Sequence, residues 1–300
     1  LTNEDQVQLT LRFRVFDDGI GFRYEYTVPT VDSLLITDEL TTFRFHRDGT
    51  SWSIPASAET YELLYQQQPI SEVETANTPF TFKTADGVYG SIHEAALYDF
   101  PEMTLKQIGH YTLKAELAPW PDGIKARKGN HFTTSWRTVQ IAPEAVGLIN
   151  SSLILNLNDP CKYEDTSWIK PVKYVGVWWE MIAAGKPWAY TFDLPSVKLD
   201  ETDYTKVKPN GIHPAHTENV KKYIDFAAEH GFDQVLVEGW NTGWEDWFGN
   251  SKDYVFDFLT PYPDFDIKYL NEYAHSKGVK LMMHHETSAS ARNYERHMEA

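Results

Sequence analysis

The chain has 300 residues, and 27 Lys+Arg stand against 43 Asp+Glu, which gives a formal net charge of -16. This length allows one large domain or two ordinary ones, and the acidic balance argues against a nucleic-acid partner, because phosphate binding needs a basic surface. Cys161 is the only cysteine, so no internal disulfide can form, and the sequence has no apolar run of about 18 residues that would predict a membrane span.

The first half of the sequence alternates apolar and polar residues with a period near two, which is typical of half-buried strands. Val7–Phe16, the turn at Asp17–Gly19 and Ile20–Tyr26 together predict a β-hairpin. Further strands are predicted at Thr42–Phe45, Phe80–Lys83, Tyr111–Leu117, Phe132–Ile141 and Leu153–Asn156. Because turn signals separate these runs and no strong helical period precedes residue 143, we expect an antiparallel sandwich.

Glu94 stands in an otherwise apolar part of this half, within the run Ile92–Leu97. A buried glutamate needs a partner, which is either a cation or a network of hydrogen-bond donors. Hard oxygen ligands of this kind suit calcium. A turn at the protein surface is the alternative interpretation of the same run.

The second half changes to continuous apolar strands separated by helices. The strands are predicted at Lys173–Trp179, Gln234–Glu238 and Val279–His284, and the helices at Thr217–Gly231, Asp266–Gly278 and Asn293–Ala300. Thr217 is the expected N-cap of the first helix, and Gly231 is the expected stop signal. Apolar strands that alternate with helices predict a parallel sheet covered by helices.

Two parallel architectures fit these strands. One is an open, doubly wound sheet, but no G-x-G-x-x-G sequence sits at a strand–helix turn, which weakens its nucleotide-binding version. The other is a (β/α)₈ barrel, of which this chain would contain about three of the eight units. The boundary with the sandwich is expected near Pro160–Pro171.

Each of the three predicted strands ends in residues that can take part in chemistry. The strand ends read Trp178-Trp179-Glu180, Glu238-Gly239-Trp240-Asn241 and His284-His285-Glu286-Thr287. Because the active groups of barrels lie at the carboxyl ends of strands, this edge is the predicted rim of an active site. Alternation along the third strand puts His284 and Glu286 on the same side. Glu286 is therefore a candidate base or metal ligand, and His284 is a candidate partner for a substrate hydroxyl.

These residues also have other interpretations. Hydrogen bonding to loop backbone is the alternative role of the strand-end side chains. A zinc site would take two ligands from His284 and Glu286, but no H-E-x-x-H or paired-cysteine motif supports it. Trp240, Trp244 and Trp247 suit either core packing or a sugar platform, since flat aromatic faces match the C–H faces of sugar rings.

Eight segments, in order along almost the whole chain, resemble glycoside hydrolase family 97, the bacterial α-glucosidases and α-galactosidases. Any single segment is a weak signal, but the ordered series is specific. The segments are Phe13–Tyr26 (FRVFDDGIGFRYEY), Ile92–Pro101 (IHEAALYDFP), Ser135–Thr138 (SWRT), Leu153–Asn158 (LILNLN), Tyr174–Glu180 (YVGVWWE), Thr217–Ala228 (TENVKKYIDFAA), Val235–Trp247 (VLVEGWNTGWEDW) and Met283–Thr287 (MHHET).

The resemblance implies a β-supersandwich over residues 1–165, incomplete at its N-terminus, followed at 166–300 by the start of a catalytic (β/α)₈ TIM-like barrel. It also implies a calcium ion in the site. Family members extend beyond both ends of the matching region, so the general acid and most calcium-binding glutamates are expected after Ala300. The expected location is periplasmic or secreted.

Residue by residue, the resemblance assigns roles to five positions. Glu94 matches the sandwich glutamate that binds calcium, and Glu286 matches a glutamate assigned to the general base in inverting members. Trp178, Glu238 and His284 match positions that line the sugar pocket. The expected activity is hydrolysis of an oligosaccharide by an inverting, calcium-dependent α-glucosidase. A retaining α-galactosidase of the same family and a non-catalytic sugar-binding protein are the alternatives.

Overall fold

The structure, a computed structural model, describes residues 7–57, 60–198, 200–247 and 255–286. The chain divides into two compact units, Leu1–Glu164 and Asp165–Ala300. Each unit has its own clusters of buried apolar side chains, so each has a core of its own. Among the described helices, none is both long enough and apolar enough to cross a membrane.

The first unit is built from antiparallel strands. They are β1 (Gln8–Phe16), β2 (Gly19–Thr27), β3 (Ser33–Ile36), β4 (Thr42–Arg44), β5 (Gly49–Ser53), β6 (Gln66–Pro69), β7 (Thr75–Ala76), β8 (Phe80–Thr84), β9 (Tyr89–Ala95), β10 (Met103–Gln107), β11 (Thr112–Leu117), β12 (Ala126–Gly129), β13 (His131–Thr133) and β14 (Trp136–Ala142). One sheet has the order β1-β2-β14-β9-β8-β5-β6, with β13 paired to β2, and another has the order β4-β11-β10-β7. A separate pair joins β12 to β3.

The two larger sheets share one apolar core. Leu113, Ala115 and Leu117 alternate along β11 and are buried, as are Phe80 and Phe82 on β8 of the other sheet. All five side chains belong to the same cluster, and full burial of a large apolar side chain contributes about 1.5–3 kcal/mol. The antiparallel sandwich predicted from the period-two pattern is therefore confirmed.

One predicted strand of this unit is wrong. Two helices follow β14, namely α1 (Ala145–Asn150) and α2 (Leu153–Asn156), and the second occupies the run expected to be a strand. Leu153 and Leu157 are buried about one helical turn apart and pack against Trp136. Gly21 lies under this turn, where an added Cβ would come 2.4 Å from Leu157 Cδ1. A short apolar run fits either period, and here packing at a spacing of four residues decides for the helix.

The second unit contains a parallel sheet covered by helices. Its strands are β15 (Tyr174–Gly176), β16 (Gln234–Val237) and β17 (Lys280–Met283), and its helices are α3 (Trp179–Ala184), α4 (Thr217–His230) and α5 (Ile267–Ser276). The strands pair in the order β15-β16-β17, and the register places Val175 beside Val235 and Val235 beside Leu281. The predicted adjacent parallel strands are confirmed, and closure into a barrel stays a prediction.

Helix α4 begins one residue away from the predicted cap. Its N-cap is His216, whereas Thr217 donates from both its backbone N–H and its hydroxyl to the Asp264 carbonyl, at 2.9 and 2.7 Å. Thr217 thus joins α4 to the loop before α5 instead of capping its own helix. Gly231 ends the helix in the left-handed region, with φ of 69°, as predicted. The predicted helix Asn293–Ala300 lies outside the described residues.

Candidate active site

Glu238 and His284 lie side by side at one edge of the parallel sheet. Val237 and Met283, the last residues of β16 and β17, are paired in register, and the His284 N–H donates to the Val237 carbonyl at 3.1 Å. Because parallel strands end at the same edge, this register puts the side chains that follow them next to each other. This edge is the carboxyl end of the sheet, where the sequence predicts the active-site rim.

Two carboxylates surround the imidazole of His284. His284 Nε2 lies 4.0 Å from Glu238 Oε1 and 4.0 Å from Glu286 Oε2. These distances are too long for hydrogen bonds. Nε2 itself is buried and makes no hydrogen bond within the described parts of the chain, although the His284 side chain is 35% exposed. A buried nitrogen without a partner between two carboxylates suits a hydroxyl group or a water molecule that bridges them.

The His284 main chain is fixed by the core of the unit. Its carbonyl accepts a hydrogen bond from Trp240 Nε1 at 2.9 Å, and its ring centroid lies 6.0 Å from that of Trp244. Both tryptophans are only 2% exposed. The interpretation of Trp240 and Trp244 as a sugar platform is therefore wrong, and core packing is correct for both.

Trp178 follows the neighbouring strand β15. Its ring stacks on Trp179 with centroids 4.8 Å apart, and an added Cβ on Gly176 would come 2.9 Å from Trp178 Cδ1. The indole therefore lies over the last residue of β15, at the same edge of the sheet as Glu238. Glu180, the acid at this strand end, is engaged by Lys186 and accepts from Asn219 Nδ2 at 2.7 Å.

Glu94 lies in the first unit, in the middle of a buried polar network. Its carboxylate accepts from Met103 N at 2.8 Å, from Ser135 Oγ at 3.1 Å and from Arg137 Nη1. The surface-turn interpretation is wrong, because Glu94 is buried on β9. Burial raises the pKa of Glu94, and the positive charge of Arg137 acts in the opposite direction. A buried Glu94 was predicted to need either a cation or hydrogen-bond donors. Glu94 has both, because Arg137 is the cation and Met103 and Ser135 are further donors.

Arg137 carries a second carboxylate partner. Its Nε donates to Glu39 Oε1 at 2.8 Å and its Nη2 to Glu39 Oε2 at 2.7 Å, a bidentate pair. Glu39 and Arg137 are both buried. No local pattern in the sequence predicts this pairing, because the two partners are 98 residues apart.

Two family models match the chain. The Glycosyl-hydrolase 97 N-terminal model matches residues 1–160, and the Glycoside hydrolase 97 model matches residues 178–300. The chain belongs to glycoside hydrolase family 97. The family resemblance found in the ordered sequence segments is thereby confirmed.

Solved structures and curated relatives agree with this family 97 assignment. A Glycoside Hydrolase Family 97 enzyme from Pseudoalteromonas sp. strain K8, solved with acarbose and, as a variant, with panose, is 45% identical with a TM-score of 0.80, over 97% of this chain and 41% of that enzyme. The Retaining alpha-galactosidase of Bacteroides thetaiotaomicron is 24% identical over 91% of this chain and 41% of the relative. The Probable retaining alpha-galactosidase of Streptomyces bingchenggensis is 25% identical over 91% of this chain and 37% of the relative. The chain thus spans about two fifths of the length of these proteins.

The strand-end site of this family 97 chain contains a residue that sequence analysis missed. Trp188 Nε1 donates a hydrogen bond to Glu238 Oε1 at 2.9 Å. Trp188 lies in the long loop between α3 and α4, where the sequence has no regular period, so no pattern marked it. The ring has neighbours in Trp244 and Trp247, at centroid distances of 6.4 and 5.8 Å.

A buried histidine holds the backbone of this loop. His213 Nδ1 lies 3.1 Å from the Trp188 carbonyl, to which it donates, while its Nε2 lies 3.9 Å from Asp264 Oδ1. Burial, followed by the nearby charge of His216, lowers the pKa of His213 to about 4, and burial raises the pKa of Asp264 to about 6. His213 is thus a neutral ring at neutral pH, with Nδ1 carrying the proton.

Proposed function

We propose that the full-length protein containing this chain hydrolyses α-glycosidic bonds in oligosaccharides. Glu286 contributes to the general base, and Glu238, His284 and Trp178 bind the sugar. The observation that carries this proposal is the position of the His284 imidazole at the carboxyl ends of adjacent parallel strands. Its buried Nε2 lies 4.0 Å from a carboxylate oxygen of Glu238 and 4.0 Å from one of Glu286, and it makes no hydrogen bond within the described residues. Polar groups that converge without satisfying one another suit a polyhydroxylated ligand.

Hydrolysis of a glycosidic bond needs two carboxyl groups. In the inverting reaction one protonates the leaving oxygen while the other activates water on the opposite face of the sugar, and the two stand roughly 6.5–9.5 Å apart. Glu286 would take the proton of the water. The general acid is expected from the part of the family sequence that follows Ala300. Glu238 and His284 would hold sugar hydroxyls and so contribute to substrate binding.

An α-glucoside is the first candidate substrate, with inversion as the proposed outcome. The Pseudoalteromonas enzyme, 45% identical, was solved in complex with panose, which consists of α-linked glucose. The two relatives named for retaining α-galactosidase activity are 24% and 25% identical. They favour a second candidate, a retaining α-galactosidase, whose carboxylate nucleophile comes from a later strand. Turnover of 4-nitrophenyl α-glucoside and α-galactoside, with NMR of the first-formed anomer, separates the two.

The role of Glu286 is tested by Glu286→Gln in the full-length protein. Gln keeps the shape and one acceptor but cannot take the proton. Loss of general-base catalysis should lower kcat about 10²–10⁴-fold, with a smaller effect on KM. Glu272→Gln, at an exposed position of α5, is the matched control and should leave kcat unchanged.

Two outcomes reject parts of this proposal. A Glu286→Gln enzyme with the kcat of the parent would remove Glu286 from the mechanism. A parent that binds oligosaccharides but hydrolyses neither glycoside would support the non-catalytic sugar-binding alternative.

Calcium is proposed as the cofactor, with one oxygen from Glu94. A carboxylate offers about four lone-pair positions. Three contacts already use Glu94, from Met103, Ser135 and Arg137, which leaves room for one bond to a metal. Within the residues that the structure describes, no group of three His, Cys, Asp or Glu side chains could hold a metal, so the other ligands would come from elsewhere in the full-length protein.

Bound calcium would supply a fixed positive charge to the full-length protein. Chelation should release the metal and abolish activity, and added calcium should restore both, as followed by metal analysis and by the rate. Glu94→Gln should lower the calcium content at a given free concentration. An unchanged rate after verified removal of calcium would reject the functional role.

A further inference from the structure

Glu238 is held by one specific donor, the indole of Trp188. Trp188 Nε1 donates to Glu238 Oε1 at 2.9 Å, and this is the same oxygen that lies 4.0 Å from His284 Nε2. An indole has a single N–H donor and no acceptor, so it fixes the carboxylate oxygen that it touches. This bond uses one acceptor position of Oε1 and leaves both acceptor positions of Oε2 for donors from a ligand.

The position of Trp188 is set from several sides. Its ring contacts those of Trp244 and Trp247, and its carbonyl accepts from buried His213 at 3.1 Å. The loop also passes close to the residue after Glu238, because an added Cβ on Gly239 would come 3.2 Å from the Trp188 carbonyl oxygen. Gly239 itself has φ of +75°, in the region that favours glycine. The indole N–H therefore has a defined direction before any ligand arrives.

We propose that Trp188 is a positioning residue for Glu238, whose hydrogen bond turns the second carboxylate oxygen toward the sugar. This inference rests on the proposed function, in which Glu238 binds a substrate hydroxyl. Without the indole N–H, the carboxylate can rotate about its last side-chain bond, since terminal torsions of this type are broad. Glu238 would then keep its charge but lose the orientation in which it accepts from a hydroxyl group.

The test uses Trp188→Phe in the full-length enzyme with 4-nitrophenyl α-glucoside or α-galactoside, whichever the parent hydrolyses. Phe keeps an aromatic ring and removes the donor. The variant should weaken the hydrogen bond between the Glu238 carboxylate and a substrate hydroxyl. KM should therefore rise about tenfold or more, while kcat stays within about twofold. Replacement of Trp188 by benzothienylalanine, which has sulfur in place of the N–H and nearly the same shape, should raise KM equally. This second variant covers the case in which Phe fails to fold.

A double-mutant cycle with Glu238→Ala separates positioning from a general structural effect. If Trp188 acts through Glu238, Trp188→Phe should add almost nothing to the rise in KM already caused by Glu238→Ala. Trp168→Phe is the control, because it also removes an indole donor, here one at an exposed position that donates to the Asp165 carbonyl at 3.2 Å. It should leave KM unchanged both in the parent and in Glu238→Ala.

Failure of this inference and failure of the proposed function look different. A parent that hydrolyses neither glycoside would overturn both. An active parent whose Trp188 variants keep the parental KM, or whose Trp188→Phe effect is fully additive with Glu238→Ala, would overturn the positioning role alone.

Discussion

The two units of this chain each place two glutamates around one nitrogen-containing side chain, with opposite results. In the first unit Arg137 donates to Glu39 at 2.7 and 2.8 Å and also to Glu94, and all three residues are buried. In the second unit His284 Nε2 stays 4.0 Å from both Glu238 and Glu286. Both clusters thus contain two glutamates and one nitrogen-containing side chain, but only in the first are the nitrogen and oxygen atoms within hydrogen-bonding distance.

This difference in distance shows in which cluster the side chains satisfy one another's hydrogen-bonding capacity. A guanidinium is always charged and carries five donors, so one arginine can satisfy two carboxylates at once. The imidazole can donate or accept at one nitrogen toward this site, and in the described structure Nε2 does neither. The arginine cluster therefore holds the sandwich together, whereas the histidine cluster has hydrogen-bonding capacity left for a ligand. We expect substitutions in the first to change mainly stability and those in the second to change mainly activity.

The largest stability effect is expected for Arg137→Met. This change leaves Glu39 and Glu94 buried without their shared cation, and breaking a buried ion pair by removing one partner typically costs about 3–5 kcal/mol. The free energy of unfolding of the full-length protein, from urea titration at neutral pH, should fall by that amount.

The control for Arg137 is Arg127→Ala. Arg127 pairs with Asp122 on the surface, with side chains 49% and 54% exposed, and such pairs are worth about 0–1 kcal/mol. If Arg137→Met cost no more than Arg127→Ala, the buried cluster would not be what stabilises the sandwich, and the contrast between the two units would fail.

His213 lies between these extremes, since it is buried like Arg137 but, like His284, makes no hydrogen bond at Nε2 among the residues that the structure describes. The pKa of His213 is lowered to about 4 from the usual 6.5. Above pH 6.5 the ring is therefore neutral in both the folded and the unfolded chain, and it does not reduce stability. As the pH falls from 6.5 toward 4, the unfolded chain takes up a proton that the folded chain does not, and stability is lost. Asp264 acts in the opposite direction, because its raised pKa of about 6 favours proton uptake by the folded state.

His213→Gln should remove this histidine contribution while keeping a donor for the Trp188 carbonyl. Between about pH 7 and about pH 5, the loss of unfolding free energy should be smaller in the variant by about 2 kcal/mol. Urea titrations of parent and variant at both pH values measure the difference. Parallel pH dependences in the two proteins would show that His213 does not titrate in this way.

Much of the strand-end site could be predicted from the sequence, because it depends on local patterns. Apolar runs gave the parallel strands, and the residues that follow parallel strands must meet at one edge, which brought Glu238 and His284 together. Alternation then placed Glu286 beside His284. The family resemblance added the expected roles, which remain predictions.

The rest depends on packing between distant segments and carries no local signal. Glu39 is 98 residues from Arg137, and Trp188 reaches Glu238 across 50 residues from a loop without period. Leu153–Asn156 has apolar residues that suit a strand or a helix, and only its packing against Trp136 distinguishes them. Sequence patterns therefore predict which strand ends meet, but not which loop side chains complete the site.

The smallest stability effect, with a clear loss of binding, is expected for His284→Ala. The His284 side chain makes no hydrogen bond through Nε2 in the described structure, and its backbone contacts to Val237 and Trp240 survive the substitution. The free energy of unfolding should therefore change by about 1 kcal/mol or less, as for most changes that break no buried network. If His284 binds a sugar hydroxyl, kcat/KM should fall about 10–100-fold, the value of a hydrogen bond lost from a buried site.

His275→Ala, at an exposed position of α5, should change neither quantity. A His284→Ala protein that loses several kcal/mol but keeps its kcat/KM would mean that this cluster, like that of Arg137, serves the fold.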